Sequence, residues 1–386
     1  MTAFVASVAS TTTATVGFPQ ASFAAGAADE YLAELNISLE KLKSHYKTNN
    51  NATKLTVYLV KSRRAGGSRA SYSPFQTDMF PRYGSGRVEY HVLQNTQCDL
   101  KCSKPVVMED EDDENNSDAP CLAVSHKTDC SDEHMTCNYP KCKHMLIGDE
   151  KCKYKPKDSR DVRIYYSDRF SNKGYVPLGM RLDSWHSFQN ILASPEFAMK
   201  KSSERKFAFN AIYSRNTNDD RGTLADIIEA KQYEYSNLTI KISIAKRWSM
   251  IVNGPQYDQL DTDVYIAVVL DSVFTLAPAG HNPECYRLYE TVEAGSIPVM
   301  VKSDLHYKNR KYHFECKEGL HKWYDAPMLV LDSWKDLFPV VEELMADKGA
   351  LDEMQSRMIA WYDETMRKTV SEFEDFMLDH DVVTTS

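Results

Sequence analysis

Nowhere in its 386 residues does the chain hold a run of about 18 apolar residues, so no membrane-spanning helix is expected from it. Bases are scarce as well. The 46 Lys and Arg stand against 55 Asp and Glu, for a formal net charge of −9. Phosphate backbones reward basic surfaces, so a nucleic-acid partner is not expected. The opening MTAFVASVASTTTATVGFPQASFAAGAA lacks both the basic start and the solid apolar run of a secretory signal. It reads as a degenerate targeting segment, a disordered tail or the scar of an incomplete gene model, and its composition does not choose among the three. No internal repeat is visible. What remains is a chain with 42% hydrophobic residues, ordinary for a soluble globular protein and long enough for two domains.

Cysteine is where the sequence is rich. Seven of the nine cysteines fall in one stretch: Cys98, Cys102, Cys121, Cys130, Cys137, Cys142 and Cys152. The same stretch carries the acidic run Glu109 to Glu114 and the helix-poor DENNSDAP. It reads as an inserted, loop-rich module over 98–152 that cannot build its own core and needs staples. Disulfides are the expected staples, with one thiol left over or paired to Cys285 or Cys316. Zinc held by Cys137, Cys142 and His144 with Cys98 and Cys102 is the competing reading, although the spacings fit no standard finger; unpaired thiols are a third. Glycosylation triplets at Asn36, Asn51, Asn115 and Asn237 agree with a secretory route, though such triplets also arise by chance.

Periodicity sketches the elements. A helix is expected over Asp29 to Tyr46, and strands over Leu55 to Val60, Val88 to Leu93 and Val162 to Tyr166. Arg63 to Gly86, rich in Gly, Ser and Arg, reads as loop. From Phe207 onward strands and helices alternate. Strands fall at Phe207 to Tyr213, Leu238 to Ile244, Phe274 to Leu276, Ile297 to Val301 and Met328 to Leu331. Helices fall at Arg221 to Lys231, Asp263 to Leu270, Trp334 to Ala346 (capped by Ser333) and along Leu351 to Leu378. Such alternation argues for a parallel sheet covered on both faces.

Phe274 to Val301, FTLAPAGHNPECYRLYETVEAGSIPVMV, is the most informative segment. It reads as strand, glycine turn, helix, glycine stop, strand. Asn282 suits the N-cap, Pro283 the first helical position, and Gly295 the C′ position. A helix starting on a glycine turn at the C-terminal end of a strand offers free amides and a positive dipole end, which is an anion site. Cys285, Leu288, Tyr289 and Val292 share one side of the helix, expected to face the core. Tyr286, Arg287, Glu290 and Glu293 share the other. A phosphate at the turn would lie near Arg287, and Glu290 could accept hydrogen bonds from ribose hydroxyls. The plain alternative is a solvated charged face.

PAGHNPECYRLYETVEAGSIPV resembles the nucleotide-sugar segment of exostosin-type glycosyltransferases, through Pro278, Gly280, Glu284 to Arg287, Tyr289, Glu290 and Gly295 to Val299. RIYYSDRFSNKGYVPLG (Arg163 to Gly179), FAFNAIYSRNTNDDRGTL (Phe207 to Leu224), MLVLDSWKDLFPVVEEL and the WYDETM segment at Trp361 extend the resemblance over roughly Asp161 to Met377. It implies an α/β, GT-B-like fold of two Rossmann-like lobes, the first abbreviated and carrying the Cys-rich insertion. The implied boundaries are a low-complexity segment over 1–30, an acceptor-side lobe over 31–200, a nucleotide-sugar lobe over 201–350, and a C-terminal helix and tail over 351–386 that crosses back to the first lobe. The implied reaction is inverting transfer of a sugar from a UDP-sugar to a hydroxyl of a glycan, glycoprotein or polyol phosphate. The family's xylosyltransferases imply UDP-xylose as donor; glucuronate, galactose and N-acetylglucosamine are used elsewhere in it. Arg215, Arg221, Gly280, His281, Glu284, Arg287 and Glu290 are the implied nucleotide-sugar residues, with cations and fixed donors stabilising the leaving diphosphate.

Asp168 is the candidate base, and His281 the alternative catalytic group. Asp219 and Asp220 read as capping residues in a loop. No metal motif of the DxD kind stands out, and the fold type works without a bound metal, so neither metal nor cofactor is expected. Where the family's second lobe opens with a glycine, this chain has Asn210, which adds bulk. The resemblance also implies a Golgi or secretory location, with the family's usual N-terminal anchor not visible here. A reading of another class stays open: a non-catalytic lumenal or secreted binding protein, in which a degenerate transferase lobe scaffolds the cysteine module.

Overall fold

The protein is described from a computed structural model. It defines residues 55–62, 79–96, 121–126, 143–148, 162–164, 175–192, 194, 197–246, 260–280, 283–305 and 321–379. The expected helix over Asp29 to Tyr46 lies outside them.

The N-terminal part builds a six-stranded sheet from β1 (Leu55–Ser62), β2 (Val88–Thr96), β3 (Cys121–His126), β4 (Lys143–Gly148), β5 (Val162–Ile164) and β6 (Tyr175–Val176). Its order is β2-β1-β3-β4-β5-β6, and every neighbouring pair is parallel. Two sequence expectations need correction. The sheet is not abbreviated, and 98–152 is not merely a loop-rich insertion, because β3 and β4 from that stretch occupy interior positions of the sheet. LAV within CLAVSH and MLI within KHMLIG are only three-residue apolar runs; the surrounding cysteines and polar and charged residues hide them. The expected loop over Arg63 to Gly86 also contains a short helix, α1 (Met79–Tyr83). Its Met79 and Phe80 are fully buried, so tertiary packing, not propensity, fixes it.

After α2 (Leu182–Leu192), the chain forms a five-stranded sheet from β7 (Phe207–Ser214), β8 (Ile240–Ala245), β9 (Ser272–Leu276), β10 (Ile297–Val301) and β11 (Leu329–Leu331). The order is β11-β10-β9-β7-β8, again parallel throughout. β9 and β10 are buried at every position, as parallel strands covered on both faces should be. The covering helices are α3 (Asp219–Lys231), α4 (Thr262–Leu270), α5 (Tyr286–Glu293), the short α6 (Lys302–Leu305), α7 (Leu337–Met345) and α8 (Lys348–Asp379). Leu224 and Ile228 of α3 and Leu337, Phe338 and Val341 of α7 share one core with Phe209, Phe274 and Val299. Ile266 and Val269 of α4, Leu288 and Tyr289 of α5 and much of α8 share the other. Each such side chain contributes roughly 1.5–3 kcal/mol by leaving water.

The long C-terminal helix ties the two sheets' surroundings together. Leu351 sits in the α3–α7 core, while Met358, Tyr362, Met366, Val370, Phe373 and Met377 line the other core beside Met79 and Phe80 of α1. Phe80 meets Phe373 edge-on at 5.3 Å. Glu374 accepts hydrogen bonds from the Ser85 amide (2.9 Å) and hydroxyl (2.6 Å). Ser333 caps the turn before α7 with a reciprocal capping box closed by Asp336, as its position implied.

Candidate functional site

The chain order of the second sheet reverses at β7. The connection through α3 leads outward to β8, and the return through α4 places β9 on β7's other side. The loops leaving β7 and β9 therefore diverge, and the crevice between them is where open α/β sheets take ligands. Of the residues singled out in Phe274 to Val301, Pro278, Gly280 and Arg287 lie at this edge.

Two arginines cross the crevice from opposite sides. Arg221, in the first turn of α3, donates through Nε to Ala279 O (2.9 Å) and through Nη2 to Pro278 O (3.0 Å), both after β9. Arg287, in the first turn of α5, donates through Nη2 to Ile212 O of β7. Arg221 is 7% exposed. Burial, then the neighbouring Arg287 charge, lowers its pKa to about 10. Among the described residues neither guanidinium has a carboxylate partner, and Arg287 Nε has no hydrogen-bond acceptor. The Tyr213 hydroxyl, beneath the Arg221 guanidinium (5.8 Å to the ring centre), also lacks a partner among them. Burial pushes this phenol up, against the pull of Arg221 and Arg287. A buried donor left unmatched costs about 1–3 kcal/mol. Close like charges and open donors at a sheet's C-terminal edge make a seat for an anion.

The helix face that carries Arg287 is not solvated, which corrects the plain amphipathic reading. Glu290 is 3% exposed. It accepts from the Tyr265 hydroxyl of α4 at 2.7 Å through Oε2, and its Oε1 is unmatched among the described residues. The Tyr265 phenol is held well above its ordinary pKa by burial, then by the Glu290 charge. Glu293 pairs with both Nη atoms of Arg82 and accepts from the Tyr362 hydroxyl at 3.0 Å. Helices α1, α4 and α8 cover a face that periodicity alone assigns to water.

Other expected site residues are placed differently. α5 begins at Tyr286 with Cys285 as N-cap, not at Asn282 and Pro283. The reason is Glu284, which is 4% exposed and turned inward. It accepts from the Tyr289 hydroxyl and from the Leu178 amide (3.3 Å) that follows β6, and these bonds fix Glu284 ahead of the helix. Glu284 thus ties the segment before α5 to the exit of the first sheet. Arg215 sits on the turn after β7, half-exposed and paired with Asp226. Asn210 lies inside β7, donating to Thr275 Oγ1 at 2.7 Å, so its bulk is absorbed within the sheet. Asp219 and Asp220 belong to the first turn of α3; Asn218 is the cap. Gly295 takes φ +66°, as a C′ glycine should. Asp168, His281, Asn282 and Cys316 lie outside the described residues, as do the side chains of the seven clustered cysteines; Cys285 is unpaired.

Sequence reasoning missed Asp304, Tyr265, Tyr213 and Asn218. Asp304 follows β10, is 2% exposed, and accepts from the Ala279 amide at 2.9 Å. It lies three residues beyond the end of β10, and no local pattern marked it. Among the described residues no group of three His, Cys, Asp or Glu is placed to hold a metal, and no helix is long and apolar enough to cross a membrane.

Residues 186–380 match the family described as RXYLT1 C-terminal domain, and the chain belongs to that family. Ribitol-5-phosphate xylosyltransferase 1 of Mus musculus is 28% identical over 237 residues, which are 56% of this chain and 50% of that protein. Its Danio rerio counterpart is 24% identical over 246 residues, 60% of this chain and 54% of that protein. The chain thus spans about half the length of these relatives. Among solved structures, an S. aureus MnaA–UDP co-structure overlays 87% of this chain and 99% of its own at 10% identity, with a TM-score of 0.41. That likeness is too slight to carry weight.

Proposed function

We propose that this chain is an inverting, GT-B-type glycosyltransferase that moves a sugar from a UDP-sugar to a hydroxyl of a glycan or polyol phosphate. The observation that carries this reading is the crossed pair Arg221 and Arg287 at the β7–β9 switch point, without carboxylate partners among the described residues. A diphosphate supplies the missing negative charge. In transfer, the acceptor hydroxyl attacks the anomeric carbon, the bond to the diphosphate oxygen breaks, and negative charge grows on UDP. Arg287, with its open Nε, meets that charge, and the amides of Gly280 and His281 add donors. Glu290 offers its open oxygen to the donor's hydroxyls. Asp168 or His281 takes the acceptor's proton. Arg215 and Glu284 serve the donor loop from its margins.

The family relationship supports a sugar transferase, and the name of the two relatives supports xylose as the sugar and a ribitol-phosphate type of acceptor. Two parallel sheets bridged by α8 support an acceptor-side lobe over 31–200 and a donor lobe over 201–350. Cysteine density and glycosylation triplets support a Golgi or secretory location. The test is a panel of UDP-sugars with purified protein, reading released UDP. Turnover with one donor, lost in Arg287→Ala and Glu290→Ala proteins that still fold, supports the assignment. Turnover retained in both places the site elsewhere.

A further inference from the structure

The loop after β9 is gripped by three side chains, and each grip comes from an element outside that loop. Arg221 holds the carbonyls of Pro278 and Ala279. Asn218 caps α3 through Oδ1, accepting from the Asp220 amide at 2.9 Å, and donates through Nδ2 to Gly280 O at 3.2 Å. Asp304, at the far side of β10, accepts the Ala279 amide. Ala277 and Ala279 are fully buried beneath them. With Nε and Nη2 committed to backbone carbonyls, and Nη1 3.4 Å from Ser214 O, Arg221 has little left for a ligand.

We infer that Asp304, with Asn218 and Arg221, is a positioning residue that presets the glycine loop for a nucleoside diphosphate without touching it. The inference rests on the donor-site reading above. A loop that must turn its amides toward an anion loses affinity if it orders only on binding, so a fixed loop keeps that cost out of the binding step. Asp304 works as an acceptor aimed at one amide. The charged groups facing it among the described residues are Asp220 and Arg221 of α3; Lys302, on its own short helix, is turned to Asp332 at 2.5 Å. Burial raises the Asp304 carboxyl to about 6, with the Ala279 amide pulling the other way.

The experiment compares full-length wild type, Asp304→Ala and Asp304→Asn in two readouts. One is hydrogen exchange at the Ala279 amide; the other is UDP affinity by calorimetry. Asn keeps an acceptor oxygen in the same place, whereas Ala removes it. Asp304→Ala should speed Ala279 exchange and weaken UDP binding, each by about tenfold or more, the loss of one buried hydrogen bond. Asp304→Asn should restore both to within about threefold of wild type. Unchanged Ala279 protection in Asp304→Ala overturns the inference, as does an Asn variant as impaired as Ala. If exchange follows this pattern while wild type binds no UDP, the clamp stands and the transferase reading falls.

Discussion

Tyr265 and Glu290 face each other from adjacent helices, the Tyr265 hydroxyl 2.7 Å from Glu290 Oε2. The bond fixes one oxygen of a buried carboxylate and leaves the other unmatched among the described residues. Tyr265→Phe should destabilise the fold by about 1.5–3 kcal/mol, the range for a hydrogen bond to a charged group. It should also weaken donor binding, since Glu290 loses its orientation. Chemical denaturation and UDP-sugar titration check both. Because the phenol is held well above its ordinary range, its titration should leave stability unchanged up to about pH 9 and lower it at higher pH.

Asp304 should leave its mark on stability against pH. Its folded pKa, about 6, lies above the unfolded value of 3.8. Between those values the native state binds the proton more tightly than the unfolded state. Stability should therefore fall as pH rises from 4 through 6 and stay lower above. Asp304→Asn removes the buried charge and should gain up to about 3 kcal/mol over wild type at pH 7.5, a difference that vanishes near pH 4. Urea melts at the two pH values test the sign.

Gly295 is irreplaceable on two counts. Its φ is +66°, and a Cβ there would stand 2.5 Å from Met199 Sδ and 2.7 Å from Arg205 Nη2. Arg205 is committed to the Ser272 and Ala294 carbonyls at 3.0 and 2.9 Å, so it cannot yield. Gly295→Ala should cost more than the roughly 1 kcal/mol of an ordinary left-handed substitution, measurable as a lowered Tm.

The Arg82–Glu293 pair bolts α5 to α1, with side chains 23% and 7% exposed. Arg82→Met leaves Glu293 buried beside Tyr362 alone and should cost about 3–5 kcal/mol, whereas Arg82→Met with Glu293→Met should cost much less. A double-mutant cycle by denaturation measures the difference.

Much of the second sheet was legible because its strands announce themselves. Ile297 to Val301 is a solid apolar run that follows a glycine turn, and the observed strand has those bounds. The first sheet was harder: β3 and β4 are six-residue strands embedded among cysteines and charges, and their membership depends on β3 pairing with the distant β1 and β4 pairing with β3. At the site, Arg287 and Glu290 could be found because they repeat on one helix face near a glycine turn. Asp304 could not, since its significance comes from one amide 25 residues away that only the folded sheet brings to it. The helix start was misplaced for a related reason. Asn282 and Pro283 are good local signals, but Glu284's inward hydrogen bonds to Tyr289 and Leu178 outrank them.

Calorimetric titration of wild type and Arg287→Ala with UDP tests the central claim most directly. The account predicts micromolar binding by wild type, a loss of at least about tenfold in the variant from removing one charge-assisted contact, and similar melting curves for both. A well-folded wild type that binds no UDP, or an Arg287→Ala protein that binds as tightly, would contradict it.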